Sequence, residues 1–137
     1  MPGQPNETNW NFNLATVVAT EAAGLAPGVI VNSPNTFTLT STITNTGGLS
    51  PSLVGANGVV HYHCERIENG VRVTLPATTF VKAAGPTQLV TSAAIGTGGG
   101  PSALSVGTWE ITVHVHFPST SFAPIVSAFS QILLEVI

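Results

Sequence analysis

The chain has 137 residues, a formal net charge of −3, and only 7% charged residues, with no aspartate at all. Three basic residues, Arg66, Arg72 and Lys82, leave no basic patch for nucleic acid and no polybasic segment for an anionic membrane surface. Cys64 is the only cysteine, so no internal disulfide forms, and the length suits one domain with an ordinary core.

Residues 1–11, rich in Pro, Asn and Gln, read as a loose arm, and 12–137 as the single domain. The N-terminus has no basic region followed by an apolar stretch, so no signal peptide is expected, and the compartment stays open. Asn6-Glu7-Thr8 matches the glycosylation sequon and reads as a chance match. Leu14 to Thr20 suits a strand or a short helix, with Val17, Val18 and Thr20 favouring the strand. The apolar stretch from Leu14 to Val31 is interrupted by Glu21, Gly24, Pro27 and Gly28, which excludes a spanning helix. Gly24 to Pro34 is rich in turn residues.

The cleanest pattern runs from Thr36 to Thr44. Phe37, Leu39 and Ile43 share one face and five threonines the other, the period-two signature of a half-buried strand. Asn45-Thr46-Gly47-Gly48 ends it. After a loop over 48–58, Val59 to Ile67 is the next strand. Glu68-Asn69-Gly70 turns it back into Val71–Leu75, a strong hairpin signal. Phe80–Lys82 and Gln88–Ile95 are two further short strands, residues 96–107 a Gly/Ser/Pro loop, Trp109–Phe117 a long alternating strand, and Ala128–Val136 the last. Seven or eight strands with close-set turns and no internal repeat predict an all-β, antiparallel, immunoglobulin-like β-sandwich.

Phe37-Thr38-Leu39-Thr40-Ser41-Thr42-Ile43-Thr44-Asn45-Thr46-Gly47, followed by Gly107-Thr108-Trp109-Glu110-Ile111-Thr112-Val113, resembles the immunoglobulin-like CARDB-type modules of bacterial and archaeal surface proteins. The resemblance covers about 36–117. It implies the sandwich fold and an adhesion or accessory role, and it brings no catalytic residues.

All four histidines fall in two H-x-H triplets, His61-Tyr62-His63 and His114-Val115-His116. In a strand, i and i+2 share a face, so each triplet presents two imidazoles side by side. Trp109, Ile111, Val113, Val115 and Phe117 form the apolar face of one strand, and Val60, Tyr62 and Cys64 that of the other. The four histidines are therefore expected to look outward, with Cys64 inside. The third and sixth major strands of such a sandwich are neighbours. If 59–67 and 109–117 hold those places, four imidazoles share one patch with Glu65 or Glu110 near it. Such a set suits a divalent ion, zinc, copper, nickel or iron. Single H-x-H triplets also arise by chance on solvated strands, and only the pairing of the two gives the pattern weight.

Other chemistry finds little support. A Ser-His-Asp triad is excluded without aspartate, Gly96-Thr97-Gly98-Gly99-Gly100 lacks the lysine of a phosphate loop, and a buried Cys64 is an inert thiol. The expected function is a non-catalytic binding or assembly module with a metal site at His61, His63, His114 and His116, acting through self-association or another protein. The alternative is a small metal-dependent enzyme, of hydrolase, lyase or oxygenase type, using three of those histidines with Glu65 or Glu110 as base. A patch that switches with pH is a third use of the same rings.

Overall fold

The computed structural model describes residues 6–7, 10–21, 29–46, 53–118 and 127–137. Among them the chain forms nine strands: β1 (Asn6–Glu7), β2 (Trp10–Glu21), β3 (Ile30–Val31), β4 (Phe37–Thr46), β5 (Asn57–Arg66), β6 (Arg72–Val81), β7 (Thr87–Thr91), β8 (Gly107–His116) and β9 (Ser127–Val136). One sheet has the order β1-β2-β4-β7 and the other β3-β9-β8-β5-β6. All pairings are antiparallel except the two-residue β3 against β9. The expected sandwich is thus present.

Alternation builds the core. Phe37, Leu39 and Ile43 of β4 are buried against Val60, Tyr62 and Cys64 of β5 and Trp109, Ile111, Val113 and Val115 of β8. Their neighbours in sequence are threonines, histidines and glutamates, which stay half-buried or exposed. The two polar atoms on the largest core rings are satisfied. Trp109 Nε1 donates to the Ser105 carbonyl at 2.8 Å, and the Tyr62 hydroxyl to Thr78 Oγ1 at 3.1 Å.

Three features depart from the sequence expectation, each for a local reason. In the stretch expected as an arm, Asn6 and Glu7 pair with Asn11 and Trp10, and β2 begins at Trp10, where the extended β4 offers Thr46 as partner to Asn11. Residues 1–5 and 8–9 of that arm lie outside the described residues. The segments 71–75 and 80–82 join into one strand, β6. Between Val60 and Tyr62 the register against β6 slips from Thr78 to Leu75, so β6 carries one extra residue at Pro76-Ala77. A proline lacks the ladder N–H and is tolerated at a bulge on an edge strand, which is what β6 is. Within the segment expected as a strand over Gln88 to Ile95, β7 ends at Thr91. Ile95 then keeps only an isolated bridge to Phe37.

The β5–β6 hairpin turns where expected. The Gly70 N–H donates to the Arg66 carbonyl at 2.8 Å with Gly70 at φ +71°, a left-handed position that glycine occupies without steric cost. Asn69 Oδ1 accepts from the Val71 N–H at 3.1 Å.

Gly58 is needed for space. It lies opposite Phe80 in the β5–β6 register, and a Cβ there would fall on the Phe80 ring and 3.0 Å from Phe117 Cε1. Phe80 and Phe12 both meet Phe117 edge-to-face, at centroid distances of 5.6 and 5.5 Å. Gly58→Ala is therefore expected to lower stability by about 1–3 kcal/mol through overpacking, read as a fall in the urea midpoint at unchanged slope. An unshifted midpoint would mean that the ring gives way freely.

Candidate metal centre

β5 and β8 are direct antiparallel neighbours, and the register sets His61 opposite His114, His63 opposite Thr112, and His116 opposite Val59. The expectation that the two H-x-H strands pair holds. Tyr62, Cys64, Val113 and Val115, between the histidines, are buried, while the four imidazoles stand on the outer face. Cys64 is 3% exposed with its thiol pushed up to about 12 by burial, which leaves it protonated and apart from the histidines.

The rings form a compact group. Centroid distances are 5.0 Å for His61–His116, 5.3 Å for His114–His116 and 6.1 Å for His61–His114. His63 lies 6.4 Å from His61 on the side away from His116. Two imidazoles on one tetrahedral ion, at an N–metal distance of about 2.0–2.1 Å, hold their centroids about 5 Å apart. The triangle His61, His114, His116 has close to that spacing. Its ring planes, however, lie within 8°, 20° and 21° of parallel, so the rings stack instead of converging. Among the described residues no three His, Cys, Asp or Glu side chains are disposed around one point. His116 Nδ1 is buried and has no hydrogen-bond partner, a nitrogen left for a ligand or a turned ring to satisfy.

Burial and neighbouring imidazoles favour the neutral form of His61 and His114. His61 is held below the usual imidazole value by burial first, then by His116 and His63. His114 is lowered by burial first, then by His116, His61 and His63. The charged groups flanking the patch, Glu65, Glu110 and Arg72, sit beyond His63. The unfolded chain then binds more protons than the folded one once the pH drops through the unfolded value of about 6.5. Stability is whole above that pH and is lost as the pH falls through it toward the lowered folded values. The urea midpoint should drop between pH 7.5 and 5.5, before carboxylates titrate, and a His61→Gln/His114→Gln double variant should flatten that slope. A parent profile flat over this window would contradict it.

The carboxylates of interest are brought together, away from the triangle. Glu65 stands opposite Glu110, and Arg72 Nε lies 3.4 Å from Glu65 Oε2. Glu65 is four residues along β5 from His61, about 13 Å in an extended strand, out of reach of an ion at the triangle. An open groove of about 300 Å³ lies beside this row, lined by His63, Glu65, Arg72, Thr74, Glu110 and Thr112. His61, His114 and His116 do not line it. The structure also adds residues that the sequence reading missed. Phe129, 70% exposed, stands beside His114 in the β8–β9 register, and Leu133, 57% exposed, beside Glu110. Their signal was two apolar residues at outward positions of β9.

No protein-family model and no curated protein matches the sequence. The fold is similar to that of a CARDB domain. The solved structure concerned is the CARDB domain of a protein from Pyrococcus furiosus, in complex with di-metal ions. It shares 14% identity, with 89% of this chain and 86% of that chain covered, at a TM-score of 0.49. At this identity the likeness concerns the fold. No helix among the described residues is long and apolar enough to cross a membrane.

Proposed function

We propose that this chain is a non-catalytic β-sandwich module of binding and assembly whose outer five-stranded face takes a divalent metal ion through His61, His114 and His116. The observation that carries the reading is the triangle of three outward imidazoles with centroids 5.0–6.1 Å apart across one strand pair. Rotation about the side-chain torsions, with the backbone unmoved, turns stacked rings toward a shared ion. The partnerless His116 Nδ1 adds to the case. Neutral imidazole suits zinc, copper, nickel or iron, and the lowered His61 and His114 values keep those rings neutral at pH 7.

A binding role is favoured over catalysis because the groove on this face is open and lies at His63, Glu65 and Glu110. A metal-bound hydroxide at the triangle would find neither Glu65 nor Glu110 within reach as a base. The test is metal analysis of protein purified without a histidine tag and loaded with zinc. The parent is expected to hold one ion per chain, and His61→Ala and His114→Ala are each expected to lose it. A parent that retains no ion after loading and desalting overturns the reading.

A further inference from the structure

The triangle offers one ion three imidazoles, and zinc in a closed site takes four ligands. The fourth histidine, His63, is exposed and lies on the wrong side of His61 to complete its own chain's triangle. Each chain thus holds one incomplete site and one spare ligand of the kind that site lacks. We infer that the fourth ligand comes from a second copy of this chain. Two copies pack their β5–β8–β9 faces together, and each donates His63 to the ion held by the other's His61, His114 and His116. This rests on the metal reading above and goes beyond it by naming the partner and the shared ligand.

The face permits such a pairing. Successive outward residues on a strand are about 6.6–6.8 Å apart, so the His63 row lies that far from the His61–His114 row, and the triangle centre about 3 Å to the other side. A two-fold axis lying in the interface, across the strands and about 2 Å from the His61 row toward His63, sets each His63 over the other copy's triangle. The same operation has two consequences that were not used to place it. It brings the two exposed Phe129 side chains to an offset of about 4 Å along the strands, so that each covers the other. It also carries the Glu65–Glu110 row to the level of Gly58, about 3 Å beyond the partner's His116 row, so the two acidic rows do not face each other. Facing sheets sit about 10 Å apart, which suits imidazoles reaching from both sides to ions in between.

The experiment is sedimentation velocity on the untagged full chain, without metal and with equimolar zinc, alongside a count of bound zinc. Expected are a monomer in chelator and a dimer with two ions in zinc, reversed by chelator. His63→Ala should still bind zinc but lose the dimer, and Phe129→Glu should weaken the dimer while keeping the ion. Zinc bound by a parent that stays monomeric overturns the shared ligand and leaves the single-chain site standing. No zinc bound overturns both. A dimer that persists in chelator, or in His63→Ala, also overturns it.

Discussion

Zinc at a hundredfold excess over its dissociation constant is expected to stabilise the parent by about 2.7 kcal/mol, because an ion that binds only the folded face shifts the equilibrium by mass action. At this chain length that is a rise of about 10 °C in the unfolding midpoint. The unfolded chain competes weakly, since the His61 and His114 triplets lie about fifty residues apart in sequence and only the β5–β8 pairing joins them. His61→Ala and His114→Ala should each abolish the rise, since each leaves two imidazoles at the triangle. His63→Ala should keep part of it, because His63 lies outside the triangle of its own chain. Without metal, the same three variants should change the midpoint little, as partly exposed rings on a solvated face contribute little packing. Thermal melts with zinc and with chelator, at two protein concentrations, read all of this at once. The higher concentration also reports dimer formation as a further rise. Equal midpoints with and without zinc would remove the metal from this face.

What could be read from the sequence, and what could not, follows the regularity of the strands. β4, β5 and β8 alternate without interruption, and their inward and outward sets emerge from period two alone. That the strands carrying the two H-x-H triplets are neighbours followed from counting strands in a sandwich, whereas the register that sets His61 opposite His114 came only with the structure. β2 and β6 were harder because each contains a bulge. In β2 the register slips at Ala15, so the inward residues change from Phe12 and Leu14 to Val17 and Ala19. A phase change in mid-strand looks like neither a clean strand nor a clean helix, and 14–20 remained open between the two. In β6 the extra residue at Pro76-Ala77 does the same, and the strand read as two fragments. Ring orientation at the histidines was beyond reach for another reason. Alternation assigns a face to each side chain, whereas stacking or convergence depends on torsions that no periodicity encodes. Phe129 beside His114 depended on the β8–β9 register, and β9 carries apolar residues on both faces, with Phe129 and Leu133 outward and Ile132, Leu134 and Val136 inward.

Trp109→Ala is expected to cost about 3–5 kcal/mol, the largest single loss among the described residues, against a total stability of about 5–15 kcal/mol for an ordinary domain. Trp109 is 1% exposed, lies between Arg66 and Leu134 in the sheet register, and is the largest fully buried side chain among the described residues. Its removal leaves a cavity at the Gly107 end of β8 and strands the Ser105 carbonyl that accepts from Nε1. Trp109→Phe keeps part of the volume and loses only the hydrogen bond and some contact, so a smaller loss of about 1–2 kcal/mol follows. The comparison separates fold from site. Trp109 points inward, five residues along β8 from His114 and at the opposite end of the strand from His116. Folded Trp109→Phe protein should therefore bind zinc as the parent does while unfolding at lower urea. Urea midpoints for both variants and zinc binding by the Phe variant provide the measurements. A Trp109→Ala midpoint close to the parent's would show that the sheets close over the cavity, and loss of zinc binding in Trp109→Phe would show that the outer face depends on packing at the far end of β8.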